Sequence, residues 1–327
     1  MSLQTPFPWF GGKSTVASDI WARLGDPVNY VEPFFGSGAV LLLRGKPGKT
    51  ETINDKDRFV ANFWRATQHD PEAVAHHLDW PVNEVDLTAR HLWLLNQGAA
   101  IIAKCDGDPD FYDAKVAGYW CWGACSWIGS GWCSGDGPWS WEGEWSKLPH
   151  LGDAGMGINR KRPHLWQPMG INRPTFAGKS EALLSWISEL AARLRNVRVC
   201  CGDWERVCGP SVTHRHGLTG VFLDPPYADT ADRTEGLYAT DSLTVAHDAR
   251  EWAIAEGRNP LMRIAFAGYH LEHTFPADWD CVAWKAQGGF GLQGIGKGRE
   301  NAGRERLWYS PHCLPRLMND LFADVTA

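Results

Sequence analysis

The chain has 327 residues, 44% of them hydrophobic and 21% charged, an ordinary globular composition with room for one large domain or two smaller ones. No apolar run reaches the roughly 18 residues of a membrane span, and the stretch from Met1 to Ser14 lacks the basic-then-apolar pattern of a signal peptide. A formal net charge of −6 argues against a protein that coats nucleic acid non-specifically, but it leaves room for a local basic groove.

Asn29 to Val31 reads as an extended segment running into Glu32-Pro33-Phe34-Phe35-Gly36-Ser37-Gly38, after which Ala39 to Arg44 begins a helix. Glu51 to Ile53 is a second strand ending in Asn54-Asp55, and Asp57 to Gln68 a helix with apolar Phe59, Val60, Phe63 and Trp64. Asp70 and Pro71 start another helix, as N-cap and first helical residue.

From about Asp70 to Gly178 the alternation of strand and helix stops. Apolar helical segments (Val85 to Leu95, Phe111 to Trp120) precede a stretch holding seven of the 19 tryptophans, from Trp120 to Trp145. Its glycines, among them Gly129, Gly131, Gly135 and Gly137, argue against a regular helix. The indoles either offer stacking faces to bases or sugars or fill a thin core. Cys121, Cys125, Cys133 and His150 bring metal to mind, but there is no second close pair, and no metal is expected. With nine cysteines and no need of disulfides, reduced thiols in a cytoplasmic protein are the expectation. Pro149-His150-Leu151 recurs at Pro163-His164-Leu165, and Gly157-Ile158-Asn159-Arg160 at Gly170-Ile171-Asn172-Arg173. Arg160, Lys161, Arg162 and Arg173 fall in a run without acids, which makes them candidates for contact with a polyanion.

Regular structure resumes with an amphipathic helix from Ser180 to Leu194, a strand from Val197 to Cys201, and an apolar strand from Gly220 to Leu223 that runs into Asp224. Ala228 to Asp241 is a polar loop, Val245 to Ala255 a helix and Leu261 to Ala267 a strand. Trp279 to Trp284 and Arg304 to Tyr309 are expected as antiparallel strands. The whole reads as an α/β sheet domain interrupted by an insert.

Gly36-Ser37-Gly38, between a strand and a helix, would let a cofactor approach backbone at a helix N-terminus. Asp55, closing the next strand, is placed to meet ribose hydroxyls; the alternative is an ordinary turn followed by a capping acid. Gly11-Gly12-Lys13-Ser14 looks like the end of a phosphate-binding loop, but Phe7 stands where that loop needs glycine. Asp224-Pro225-Pro226-Tyr227 is more specific. An exocyclic amine on a planar ring is a poor nucleophile, because its lone pair is delocalised. A carboxylate and a rigidly held carbonyl that accept its two protons localise that pair, and Tyr227 can stack on a base swung out of its helix.

These residues resemble the Dam-type (D12 class) DNA adenine-N6 methyltransferases, and five motifs fall in that family's order. Pro8-Trp9-Phe10-Gly11-Gly12-Lys13 resembles the N-terminal cofactor motif, and residues 30–40 the glycine-loop motif. Ile53-Asn54-Asp55 matches the ribose-binding acid, Gly202-Asp203-Trp204 a motif near the cofactor adenine, and Val221 to Tyr227 the catalytic motif. The resemblance implies a Rossmann-like mixed sheet with helices on both faces. It also implies S-adenosyl-L-methionine as methyl donor, held by Trp9, Lys13, Glu32, Pro33, Phe34, Gly36, Ser37, Gly38, Asp55, Asp203, Trp204 and Asp224. Catalysis falls to Asp224, Pro225, Pro226 and Tyr227, on double-stranded DNA. Residues 1–69 and 179–327 would form the catalytic domain, and 70–178 an inserted target-recognition domain. The insert departs from the usual recognition hairpin, so no target sequence carries over. RNA adenine, cytosine N4 and a catalytically inactive relative are the competing readings.

Overall fold

The computed structural model describes residues 3–9, 12–108, 110–127, 132–133, 179–226, 244–284 and 304–316. Its frame is one sheet of seven strands: β1 (Asn29–Glu32), β2 (Thr50–Asp55), β3 (Val197–Cys201), β4 (Thr219–Leu223), β5 (Met262–Tyr269), β6 (Asp280–Ala283) and β7 (Glu305–Tyr309). They lie in the order β3-β2-β1-β4-β5-β7-β6. The first five are parallel, while β7 runs antiparallel to both β5 and β6. The expected antiparallel pair is therefore present, with β7 seated between β5 and β6.

Both faces of the sheet are covered, and the strands show it residue by residue. Tyr30, Phe222, Ala265, Ala267, Leu307 and Tyr309 enter one apolar core. Their neighbours Val31, Val221, Leu223, Ile264, Phe266 and Trp308 enter a second. Successive side chains of a strand point to opposite faces, so this alternation sets a core on each side. Such double burial explains why β4 reads as a continuous apolar run.

Seven helices supply residues to the first core: α1 (Ala17–Leu24), α2 (Ala39–Leu43), α3 (Arg58–His69), α4 (Pro71–Leu78), α5 (Glu84–Gly107), α6 (Ala114–Ser126) and α7 (Lys179–Leu194). The second core is closed by α8 (Val245–Glu256) and a 3₁₀ turn at Trp204–Val207. Four successive helices begin on a side-chain cap. Asp57 accepts from the Phe59 and Val60 amides, Asp70 from Ala73, Asn83 from Asp86 and Asp113 from Val116.

Helices α4, α5 and α6 share the core of α3 and α7; Val74, Leu87, Leu94 and Val116 lie in the same cluster as Ile53 and Phe63. The start of the Trp/Gly-rich stretch differs from expectation, because α6 continues to Ser126. Its glycines are close-approach points: a Cβ on Gly118 would strike His77, and one on Gly123 the Trp132 ring. Trp120, Trp122 and Trp127 are buried there, so this part of the stretch is core. Trp139, Trp141, Trp145, His150 and the echoed segments lie outside the described residues, as does the 228–241 loop.

Buried Glu51 on β2 ties two helices to the sheet. Its carboxylate receives Arg44, just beyond α2, at 3.0 Å and Arg193 of α7 at 2.6 and 3.0 Å.

Candidate active site

Strand register brings the predicted residues to one edge. Glu32 stands beside Ile53, Val31 beside Val221 and Asp55 beside Cys201, all in parallel pairs. Whatever follows β1, β2, β3 and β4 therefore leaves the sheet on the same side. The chain passes outward from β1 through β2 to β3, then resumes at β4 on β1's other flank. A crevice opens where strand order reverses in this way, and ligands of α/β sheets bind there. Residues 33–38, Asp55, 202–204 and 224–226 line that edge.

The glycine turn is fixed from several sides. Gly36 and Gly38 have φ of +47° and +74°, a region that a side chain disfavours. The Gly36 amide donates to Asp55 Oδ2 at 2.8 Å, and the Asp57 amide to Asp55 Oδ1 at 2.9 Å. Trp64 Nε1 donates to the Gly36 carbonyl at 2.9 Å. The Trp9 ring lies where a Cβ on Gly36 would have to go. Asn54 Nδ2 donates to the carbonyls of Pro33 and Gly202, both at 3.0 Å, and so joins the loops after β1 and β3. Beside them Phe34 and Trp204 stack with centroids 6.1 Å apart. Asp203 is exposed and caps the 3₁₀ turn that carries Trp204, while Ser37 is buried.

Across the crevice, Lys13 Nζ donates to both carboxylate oxygens of Asp224, at 2.8 and 2.9 Å. Lys13 is almost fully buried, and its ammonium also lies 5.5 Å from the centre of the Trp284 ring. Burial pushes the Asp224 carboxyl up from its ordinary value, and the Lys13 charge and hydrogen bond oppose that. Glu32 is buried on the other side, with Oε2 receiving the Tyr30 hydroxyl at 2.8 Å. Burial drives its carboxyl well above the usual range; the Tyr30 hydrogen bond lowers it, and the nearby Asp224 charge raises it further. Asp55 is raised to about 7 by burial and by the Asp57 charge, against the pull of its backbone hydrogen bonds. Burial thus raises three carboxyls on this edge, and at Asp224 the Lys13 charge and hydrogen bond oppose that rise.

Trp9, Lys13, Glu32, Pro33, Phe34, Gly36, Ser37, Gly38, Asp55, Asp203, Trp204, Asp224, Pro225 and Pro226 all belong to this edge or to its immediate supports. Tyr227, Arg160, Lys161, Arg162 and Arg173 lie outside the described residues. Trp284, Trp64 and the double clamp of Asn54 were not foreseen. The first two carry no sequence signal beyond being tryptophans, and Asn54 shows only its place beside Asp55. The Cys121 and Cys125 thiols both turn to the Pro6 carbonyl, and the described residues hold no cluster of three metal-ligating side chains.

No curated protein matches the chain. The family model of the D12 class N6 adenine-specific DNA methyltransferases matches residues 9–86, a span from Trp9 through the glycine turn and Asp55 into α5. Over that span the chain is similar to the D12 class of adenine-specific DNA methyltransferases, and its mixed α/β sheet is of the Rossmann-like kind that family has.

Proposed function

We propose that the chain transfers a methyl group from S-adenosyl-L-methionine to N6 of an adenine swung out of double-stranded DNA, at a specific site. The observation that carries this reading is Asp224 at the β1–β4 crevice, half-buried, hydrogen-bonded through both oxygens to Lys13, on the same sheet edge as the glycine turn and Asp55.

The residues present fit a nucleoside cofactor. Gly36 and Gly38, with positive φ, turn the chain between β1 and α2 so that backbone is presented at the strand end, where a ligand can approach. Asp55 at the end of β2 would accept the ribose hydroxyls, and the Phe34–Trp204 pair would flank the adenine. When bound, the cofactor supplies an electrophilic methyl group. The protein's part is to prepare the amine. Asp224 accepts one N6 proton in a hydrogen bond, and the Pro225 carbonyl, set by two prolines with fixed φ, accepts the other. Both acceptors turn the nitrogen lone pair out of the ring and stabilise the positive charge that develops on it. Tyr227 would stack on the extruded base. We assign target recognition to residues 70–178, with Arg160, Lys161, Arg162 and Arg173 on DNA phosphates.

Incubation with labelled S-adenosylmethionine and separate DNA and RNA pools, followed by mapping of the methylated base, tests the reaction. Asp224→Ala is expected to abolish transfer and leave cofactor affinity within about tenfold. Label on RNA alone, or on cytosine, overturns the assignment. Loss of cofactor binding in a folded Asp224→Ala protein removes Asp224 from the catalytic role.

A further inference from the structure

Away from the crevice, α4, α5, α6 and α7 border an open-sided cavity of about 560 Å³. Arg90, Tyr119, Trp80, Lys115, Glu72 and Asp79 are among the residues that line it. None of these six residues belongs to the active-site edge.

Arg90 is the unusual group. It is only 7% exposed, and among the described residues no carboxylate forms a salt bridge with it; Asp86, one turn earlier on α5, acts on it only at longer range. Its charge is met by ring faces, with the guanidinium carbon 4.0 Å from the centre of Tyr119, 4.3 Å from Trp122 and 5.2 Å from Trp80. Rings satisfy the flat faces of a guanidinium and leave its in-plane N–H groups unmet. Among the described residues its one hydrogen bond runs from Nη1 to the His77 carbonyl, and it is long at 3.4 Å. Burial lowers the pKa of Arg90 from its ordinary value. Lys115 adds a second cation, lying 4.6 Å from the Trp93 ring centre and 5.4 Å from that of Tyr119. A desolvated fork of donors opening into a cavity calls for an anionic partner with paired oxygens.

A bare anion is a poor match, because Glu72 and Asp79 share the cavity and its volume far exceeds a phosphate. We propose that the cavity binds a nucleotide. Its phosphate takes the in-plane donors of Arg90 and the Lys115 ammonium, and its base lies against Trp80, which is 46% exposed. Its amine or hydroxyl hydrogens meet Glu72 and Asp79. The nucleotide is either free or one unit of a DNA strand held beside the helical layer. The proposal is independent of the active-site assignment.

The test is calorimetry on the full chain saturated with S-adenosylhomocysteine, with three probes: dTMP, inorganic phosphate and oligo(dT), none of which offers a target adenine. Hydrogen exchange of α4 and α6 is followed in parallel. One dTMP is expected to bind, about tenfold more tightly than phosphate, and to slow exchange in both helices. Lys115→Ala and Arg90→Lys are each expected to weaken dTMP by about fivefold or more, the second because an ammonium lacks the planar fork. The same loss with oligo(dT) identifies a strand as the source; loss with dTMP alone identifies a free nucleotide. Wild-type protein that binds neither, or binding untouched by both substitutions, overturns the proposal. Lys115 is exposed, so its variant does not depend on the packing around Arg90. Methyl transfer by the same variants is scored separately, and its loss with dTMP binding intact bears on the active site alone.

Discussion

Lys13 Nζ bonds to both oxygens of Asp224, 211 residues further along the chain, and the pair is largely shut off from solvent. The carboxylate proposed to accept an N6 proton is therefore already engaged by a cation. A buried carboxylate that lost that cation would hold its own proton to higher pH and fail as an acceptor. Lys13→Met is expected to move the acid limb of the kcat profile upward by about one pH unit or more, with cofactor and DNA both saturating. An unmoved acid limb in a folded variant would show that Lys13 does not tune Asp224.

Asp55 titrates near neutrality, raised to about 7 by burial. Ribose hydroxyls donate to the ionised form, so cofactor binding is expected to release a proton below this value and none well above it. Affinity should fall about tenfold for each pH unit below 7. Calorimetry in two buffers of different ionisation enthalpy reads the proton count directly. Asp55→Asn should bind weakly and without this pH dependence; a variant that binds like wild type would sink the ribose assignment.

Glu51 predicts a stability effect rather than a catalytic one. It is the shared anion of two buried arginines, Arg44 and Arg193. Glu51→Ala leaves both guanidinium groups without it and is expected to cost about 3–5 kcal/mol, measured by urea unfolding. A loss below about 1 kcal/mol would mean that Asp26, the second partner of Arg44, or solvent takes over.

His91 sets an acid limit on the fold. The ring is buried against Trp127 at 4.8 Å and Trp132 at 5.3 Å, and among the described residues neither nitrogen has a hydrogen-bond partner. Burial lowers its pKa from 6.5 to about 4. Between those values the unfolded chain binds a proton that the folded one does not. Stability is therefore lost as pH falls from about 6.5, and the loss is complete near 4. At pH 5 this amounts to about 2 kcal/mol. His91→Phe should shrink the stability difference between pH 8 and pH 5 by about that amount; equal slopes in the two proteins would exclude this cause.

The sheet and its loaded edge were legible because they depend on local signals. Apolar runs end in Gly36-Ser37-Gly38, Asp55 and Asp224, and each end falls on the carboxyl side of its strand. The cap at Asp70 stood out for the same reason. What stayed hidden depends on distance in sequence. The Lys13–Asp224 pair, the Trp284 ring over Lys13 and the seating of β7 between β5 and β6 all join segments with no common local pattern. The end of α6 was also missed: the helix runs on to Ser126, and Gly123 makes room for Trp132 within it. The burial of Arg90 was equally invisible, because an arginine on an amphipathic helix ordinarily faces water.

The seating of β7 has a consequence for how the protein is made. On the ribosome, β5 and β6 emerge before Glu305–Tyr309 exists, and in the finished sheet neither touches the other except through that strand. Until it arrives, β5, which flanks the strand leading to Asp224, presents an open row of backbone donors and acceptors. A message cut short before codon 305 would thus yield a chain with its whole parallel frame and two sticky edges, a product bound for aggregation rather than for partial activity.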